Sequence, residues 1–296
     1  MPRAKKIVGP DDFAWVRSIY GKGPKAHKRY HYIPEDGMNK IIKDWQEKQP
    51  ERGMWASPSG ILTCPRVIWL KHNKVPIIND MTWAVKQRLM LGRAFEDVFA
   101  MQLADEGMLL KHWADNPGQE VETFAMGSGE TQNKGVPDYL LDMNGIIAVS
   151  DAKTGRSDSY GYVGISDDEL FEAWNYYKYR IQLTNYFLLC HKNKDWFEKN
   201  NLPLPTHCHL FSYALDDGVV RREVMWKPTQ EDMQTVLDMT IRYNKALTSK
   251  EAPACTCKES YDGFDVKFCD YGIREAGSKV ADSCCGDELI NNIKEK

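Results

Sequence analysis

Between residues 83 and 106, Val85, Leu89, Phe95, Phe99 and Leu103 return at steps of four or six, a spacing that predicts an amphipathic helix. Three strand-like runs follow, at 120–126, 136–142 and 146–152, the last two joined by Asp142-Met143-Asn144-Gly145 as a hairpin turn. Together they predict a meander. A second helix is expected over 168–191 and a strand over 207–214. The Asp216-Asp217-Gly218 turn leads to a hairpin partner over 219–226, and a third helix spans 230–247, ending before the loop that contains Pro253. The order predicts an α/β chain. Its expected parts are a basic, helical amino-terminal extension (1–56), a core of helix, three strands, helix and strands (57–250), and a cysteine-rich tail packed on that core (251–296).

Composition narrows the class. With 296 residues, 42% hydrophobic and 27% charged, the chain has enough material for a real core and is neither fibrous nor disordered. No stretch approaches eighteen consecutive apolar residues, and the opening MPRAKKIVGP has no apolar centre, so a cytoplasmic chain with no membrane partner is expected. The net charge is only -3, but residues 1–50 hold eleven Lys+Arg against six Asp+Glu, interleaved with Tyr20, Tyr30, His31 and Tyr32. Such a stretch suits either a phosphate-tracking arm or a solvated surface over packed aromatics.

The acids and one lysine carry the chemistry. Asp138 falls near the start of one expected strand, and Asp151-Ala152-Lys153 ends the next. A spacing of two puts Asp151 and Lys153 on one face, which Asp138 shares if the strands are neighbours. Two carboxylates beside a lysine make a site for a hard divalent cation such as Mg2+ or Mn2+, and the lysine can hold a water or stabilise charge on a phosphoryl oxygen. Asp-x-Lys alone is weak evidence, because a second copy stands at Asp265-Val266-Lys267 with no strand delivering another acid. Read alone, Asp151 and Lys153 are more simply a surface ion pair at a strand end.

Val136-Pro137-Asp138 followed by Asp151-Ala152-Lys153 resembles the PD-(D/E)xK motif of the restriction-endonuclease-like nucleases. Gly92-Arg93-Ala94-Phe95-Glu96 and Gln182-Leu183-Thr184-Asn185-Tyr186 resemble two further elements of the RecB-like exonuclease branch. The resemblance implies Glu96 as a third metal-site carboxylate. It also implies that Gln182 and Tyr186, four apart on one helical face, engage the strand or brace the site. Phe95 stands where many members carry a histidine, which leaves the metal number and preference open.

The eight cysteines are not expected to form a disulfide framework in a reducing compartment. Cys190 and Cys208 sit in apolar surroundings and are expected to pack as small hydrophobes. Ser57 to Arg66, around Cys64, resembles the amino-terminal segment of the iron-sulfur members of that branch, the CRISPR-associated exonuclease of Cas type four and the AddB nuclease domain. There one early cysteine and three late ones clip the termini together across the core. The resemblance implies an iron-sulfur cluster of the 4Fe-4S type on Cys64, Cys257, Cys269 and Cys284, with Cys255 and Cys285 as alternates. Four thiolates suit zinc equally well, and residue types do not separate the two.

The expected function is therefore a Mg2+- or Mn2+-dependent deoxyribonuclease. Exonuclease action on single-stranded DNA or duplex ends is expected, within recombination, repair or CRISPR-type processing and its protein partners. Arg66, Arg93 and Arg156 are expected phosphate contacts. Two other readings stand beside it: a non-catalytic nucleic-acid-binding or recombination partner with a nuclease-like fold, and a zinc-stabilised interaction protein.

Overall fold

The computed structural model describes residues 55–75, 83–113, 123–155, 174–214 and 219–254. The chain divides into Met1–Gly53 and Met54–Lys296, and the description that follows concerns the second unit. Expectations for the basic extension, the Asp265-Val266-Lys267 copy and the cysteine-rich tail lie outside the described residues.

Two helices open the unit, α1 (Pro65–His72) and α2 (Trp83–Asp105). A strand β1 (Leu109–His112) follows, then a small hairpin, β2 (Phe124–Met126) and β3 (Asn133–Gly135), joined through a short 3-10 turn at Gly129–Thr131. Next come β4 (Tyr139–Met143), β5 (Ile146–Gly155), α3 (Trp174–Lys192), α4 (Lys194–Lys199), β6 (His207–Ala214), β7 (Val219–Trp226) and α5 (Gln230–Thr248). The main sheet runs β1-β4-β5-β6-β7. Within this sheet only β5 and β6 pair in parallel, and α3 lies in the connection between them.

The class is mixed α/β, and the meander differs from the expected one. Its first strand is β1, whose residues follow α2 too closely to stand out by pattern. Within the described part of the expected 120–126 run, Phe124–Met126 is strand, and it pairs with β3 in a separate two-stranded sheet. β4 begins at Tyr139 rather than at 136, since Pro137 has no N–H for a ladder. The ladder nevertheless continues one step beyond the strand, where the Trp113 N–H donates to the Asp138 carbonyl at 3.1 Å. Asn144 and Gly145 form the expected turn, both at positive φ (56° and 87°), the conformation a two-residue hairpin requires.

Alternation sorts the sheet into two faces. Tyr139, Leu141, Ala152 and Phe211 bury against Phe99 and Leu103 of α2. Leu140, Val149, Leu210 and Val224 bury on the other side with Ile181, Leu183 and Leu189 of α3 and Val236 of α5. Within the first face, Ser150 Oγ and His209 Nδ1 lie 2.9 Å apart, and His209 Nε2 lies 2.9 Å from Glu223 Oε1, so one fully buried imidazole ties β5, β6 and β7. Among the described residues no helix is long and apolar enough to cross a membrane.

Helix α3 is fixed against α5 by Arg180 and Asp232, whose charged groups approach to 2.9 Å. Asp232 also completes a capping box: it accepts from the Thr229 N–H at 2.9 Å, and its own N–H donates to Thr229 Oγ1 at 3.1 Å. Replacing Asp232 by Ala removes the pair and half the cap together. A loss of about 2–3 kcal/mol in urea-unfolding stability is expected, against about 1 kcal/mol for Thr229→Ala, which leaves the ion pair.

Candidate active site

Register places the acids. Tyr139 faces Ser150 across the β4/β5 ladder, so one further step sets Asp138 opposite Asp151. Side chains directly opposite each other have Cβ atoms about 4.5–5.5 Å apart, and these two carboxyl groups are within hydrogen-bonding reach. Asp151 is fully buried, and Lys153 Nζ lies 2.5 Å from its Oδ2. The sequence spacing of two has thus put lysine and acid on one face.

Burial first, and then the neighbouring Asp151 charge, push the Asp138 carboxyl well above the usual aspartate range; Glu96 adds to the push, and Lys153 opposes it. For Lys153, burial alone would lower the ammonium's pKa, but Asp151 and Asp138 outweigh it and hold the group above its ordinary value. Lys153 therefore keeps its positive charge among the acids, while Asp138 resists becoming the second negative one.

Helix α3 supplies a lid of aromatic and amide groups. Tyr186 is 8% exposed, and its hydroxyl is raised by burial and by the charges of Asp138 and Asp151, so it remains a donor. Gln182 Nε2 lies 3.5 Å from Tyr186 Oη, a long contact one helical turn away. Tyr179, which the sequence reading missed, places its ring 5.5 Å from Lys153 Nζ, within cation–π range. Its signal was the step of seven to Tyr186, which keeps both on one helical stripe.

Glu96 arrives from the opposite layer. It shares a helical face with Ala100 and Leu103, both buried on the sheet, and its charge acts on Asp138 and Tyr139. Gly92, one turn earlier, lets α2 come close to the sheet: a Cβ there would lie 3.1 Å from Thr154 Oγ1 at the end of β5. Phe95 stacks with Phe99 at 5.5 Å and lies tilted against Tyr213 at 4.2 Å, so its ring is engaged in core packing.

Asp138, Asp151, Lys153, Gln182 and Tyr186 thus lie together, and Glu96 acts on them at longer range. Among the described residues, no three His, Cys, Asp or Glu side chains gather closely enough to hold an ion. The donor chemistry still suits a hard cation. Both Asp151 carboxylate oxygens are buried without a well-aligned hydrogen bond, and a second carboxyl group stands beside them. Lys153 occupies that negative position at 2.5 Å.

Of the other expected residues, some stand apart from this cluster and the rest lie outside the described residues. Arg66 is on α1, which packs on α5 rather than on the acid-bearing strands. Arg93 is on α2, with its side chain outside the described residues, and Arg156 lies outside them as well. Cys190 and Cys208 are wholly buried, and burial raises both thiols, so they pack as hydrophobes. Cys64 is half-buried and precedes Pro65 at the start of α1. Pro65 and Ala254 line one groove of about 490 Å³ with Asp238, Arg242 and Lys245 of α5, and Ala254 is the residue before Cys255. Cys255, Cys257, Cys269, Cys284 and Cys285 lie outside the described residues.

No protein-family model and no curated protein matches the chain. Among solved structures it is similar to the one titled "Crystal structure of SSO0001", at 13% identity and a TM-score of 0.46, covering 82% of this chain and 96% of that one. A likeness of that strength carries no argument about chemistry.

The raised Asp138 carboxyl has a defined sign. Folded protein keeps a proton that the unfolded chain releases near pH 3.9 or so. Above that point, and up to the raised folded value, stability of the metal-free protein falls as pH rises. Asp138→Asn removes the titrating carboxyl and with it the cost of either holding its proton or burying its charge. It is expected to raise the metal-free melting temperature at neutral pH by a few degrees and to flatten this slope, measured by calorimetry from pH 4 to 8.

Proposed function

We propose that the chain is a metal-dependent nuclease that hydrolyses phosphodiester bonds of DNA. The observation that carries this reading is the pair of opposed carboxyl groups, Asp138 and Asp151, with a charged lysine on the same face and a third acid on the flanking helix. An ordinary structural ion pair needs one acid and one base. Burying a second carboxyl group beside the first raises its pKa and costs stability, a pattern associated with functional sites.

Asp138 and Asp151 would hold Mg2+ or Mn2+, with Glu96 as a further ligand. Such an ion, when bound, supplies an activated water and polarises the phosphoryl group. Lys153 keeps its positive charge beside the acids and offers it to the oxygen on which negative charge develops as water adds to phosphorus and the ester P–O bond breaks. Tyr186, a neutral donor supported by Gln182, is suited to a phosphate oxygen or to the lysine strand, and Tyr179 limits where the ammonium can go.

The test is digestion of end-labelled single-stranded, duplex and circular DNA with Mg2+ or Mn2+. Wild-type protein is expected to cut, and Lys153→Ala to lose at least about 100-fold in rate, the cost of removing one donor from a developing oxyanion. Equal activity of the two proteins, including none in either, overturns the assignment. Circular DNA left intact identifies exonuclease action, and the label reports its direction.

We further propose that Cys64 and tail cysteines hold a metal cluster that closes the core. The groove shared by Pro65 and Ala254, chain neighbours of Cys64 and Cys255, supports this reading. It gives Cys255 more weight beside Cys257, Cys269 and Cys284 than sequence spacing alone did. A metal clip joining positions so far apart in the chain would restrain the unfolded state. Anaerobically purified protein is expected to contain iron, and Cys64→Ser to lose most of it; an iron-free, zinc-loaded sample counts against the iron-sulfur assignment.

A further inference from the structure

Tyr139 immediately follows Asp138 and is fully buried. Its ring meets Phe99 edge-on at 6.1 Å and stacks on His112 at 5.1 Å, contacts that a phenylalanine would make equally well. The hydroxyl is the unexplained part. Tyr139 Oη donates to the backbone carbonyl of Glu96 at 2.9 Å. In a helix that carbonyl already accepts from the N–H four residues on, so the tyrosine takes its second lone pair. Burial, followed by the Asp138 charge, raises the phenol's pKa, so the group remains a donor.

We infer that Tyr139 is a positioning residue that fixes the backbone of Glu96 relative to Asp138, setting how far the third carboxylate stands from the other two. The inference rests on the nuclease reading above. Its physical basis is a division of labour: Asp138 and Asp151 are aligned by strand register, but Glu96 belongs to a helix on the opposite layer, where no register exists. Apolar packing of Phe95, Phe99 and Leu103 against the sheet resists separation but is non-directional, and so tolerates sliding along the helix axis and rotation about it. A directional hydrogen bond from the residue next to Asp138 to the carbonyl of Glu96 opposes both motions at that turn. Gly92 permits the close approach and the tyrosine sets its position.

Isothermal titration with Mn2+, combined with steady-state cleavage of an end-labelled oligonucleotide, tests this on the full chain. Tyr139→Phe is expected to keep wild-type circular dichroism and a cooperative melt. Its Mn2+ dissociation constant should rise and its kcat fall by about tenfold each, within the range for groups that orient metal ligands, while KM for DNA stays unchanged. Glu96→Gln should weaken Mn2+ binding at least as much, and the double variant should be no weaker than Glu96→Gln, because the tyrosine acts through that acid. Wild-type Mn2+ affinity in Tyr139→Phe, or additive losses in the double variant, overturns the inference and leaves the nuclease reading intact. Unchanged affinity in Glu96→Gln overturns it even where Tyr139→Phe gives no soluble protein, since that variant leaves the Tyr139 bond in place. A wild-type chain that neither binds Mn2+ nor cuts overturns the nuclease reading and this inference together.

Discussion

Asp138 and Asp151 face each other across one step of an antiparallel ladder, close enough to share a proton and shielded enough from water that their repulsion is felt. Like charges in opposed positions weaken a sheet, and here the weak point falls where β4 begins, beside a proline that cannot extend the ladder. The surrounding structure compensates locally. Lys153 leans onto Asp151, the Trp113 N–H holds the Asp138 carbonyl, and the imidazole of His209 ties β5 to its neighbours on the opposite face. Each contact restrains one of the strands that the carboxyl groups would otherwise push apart.

The two helical layers contribute differently. Helix α3, locked to α5 through Arg180 and Asp232, brings neutral groups, Gln182, Tyr186 and Tyr179, to the charged face. Helix α2 brings a third acid from the other side, where the close approach at Gly92 and the hydrogen bond from Tyr139 to the Glu96 carbonyl join it to the sheet. Positive charge and donors thus come mainly from the strand and α3, and added negative charge from α2. Lys153 is thereby the positive charge set directly against the buried acid pair.

Much of this was legible in the chain. The spacing of two between Asp151 and Lys153, the spacing of four between Gln182 and Tyr186, and the Asn144-Gly145 turn each follow from local geometry, and the structure shows those arrangements. What escaped was non-local. Leu109–His112 is too short and too close to α2 to announce itself as a strand, and Phe124–Met126 reads like a sheet member although its partner is the short β3. No pattern in the sequence says that the hydroxyl of Tyr139 seeks the carbonyl of Glu96, forty-three residues away. The longest-range expectation, a link between Cys64 and the tail, depends on tail cysteines outside the described residues.

The tight turn at Asn144 and Gly145 lies five ladder steps from the opposed aspartates, about 17 Å at 3.4 Å per residue. Lengthening it by one residue would leave every motif legible in the alphabet of the chain, yet it would slide β5 past β4 by half a pleat and turn one acid away from the other. Whether the two acids meet at all is thus decided at the far end of the hairpin.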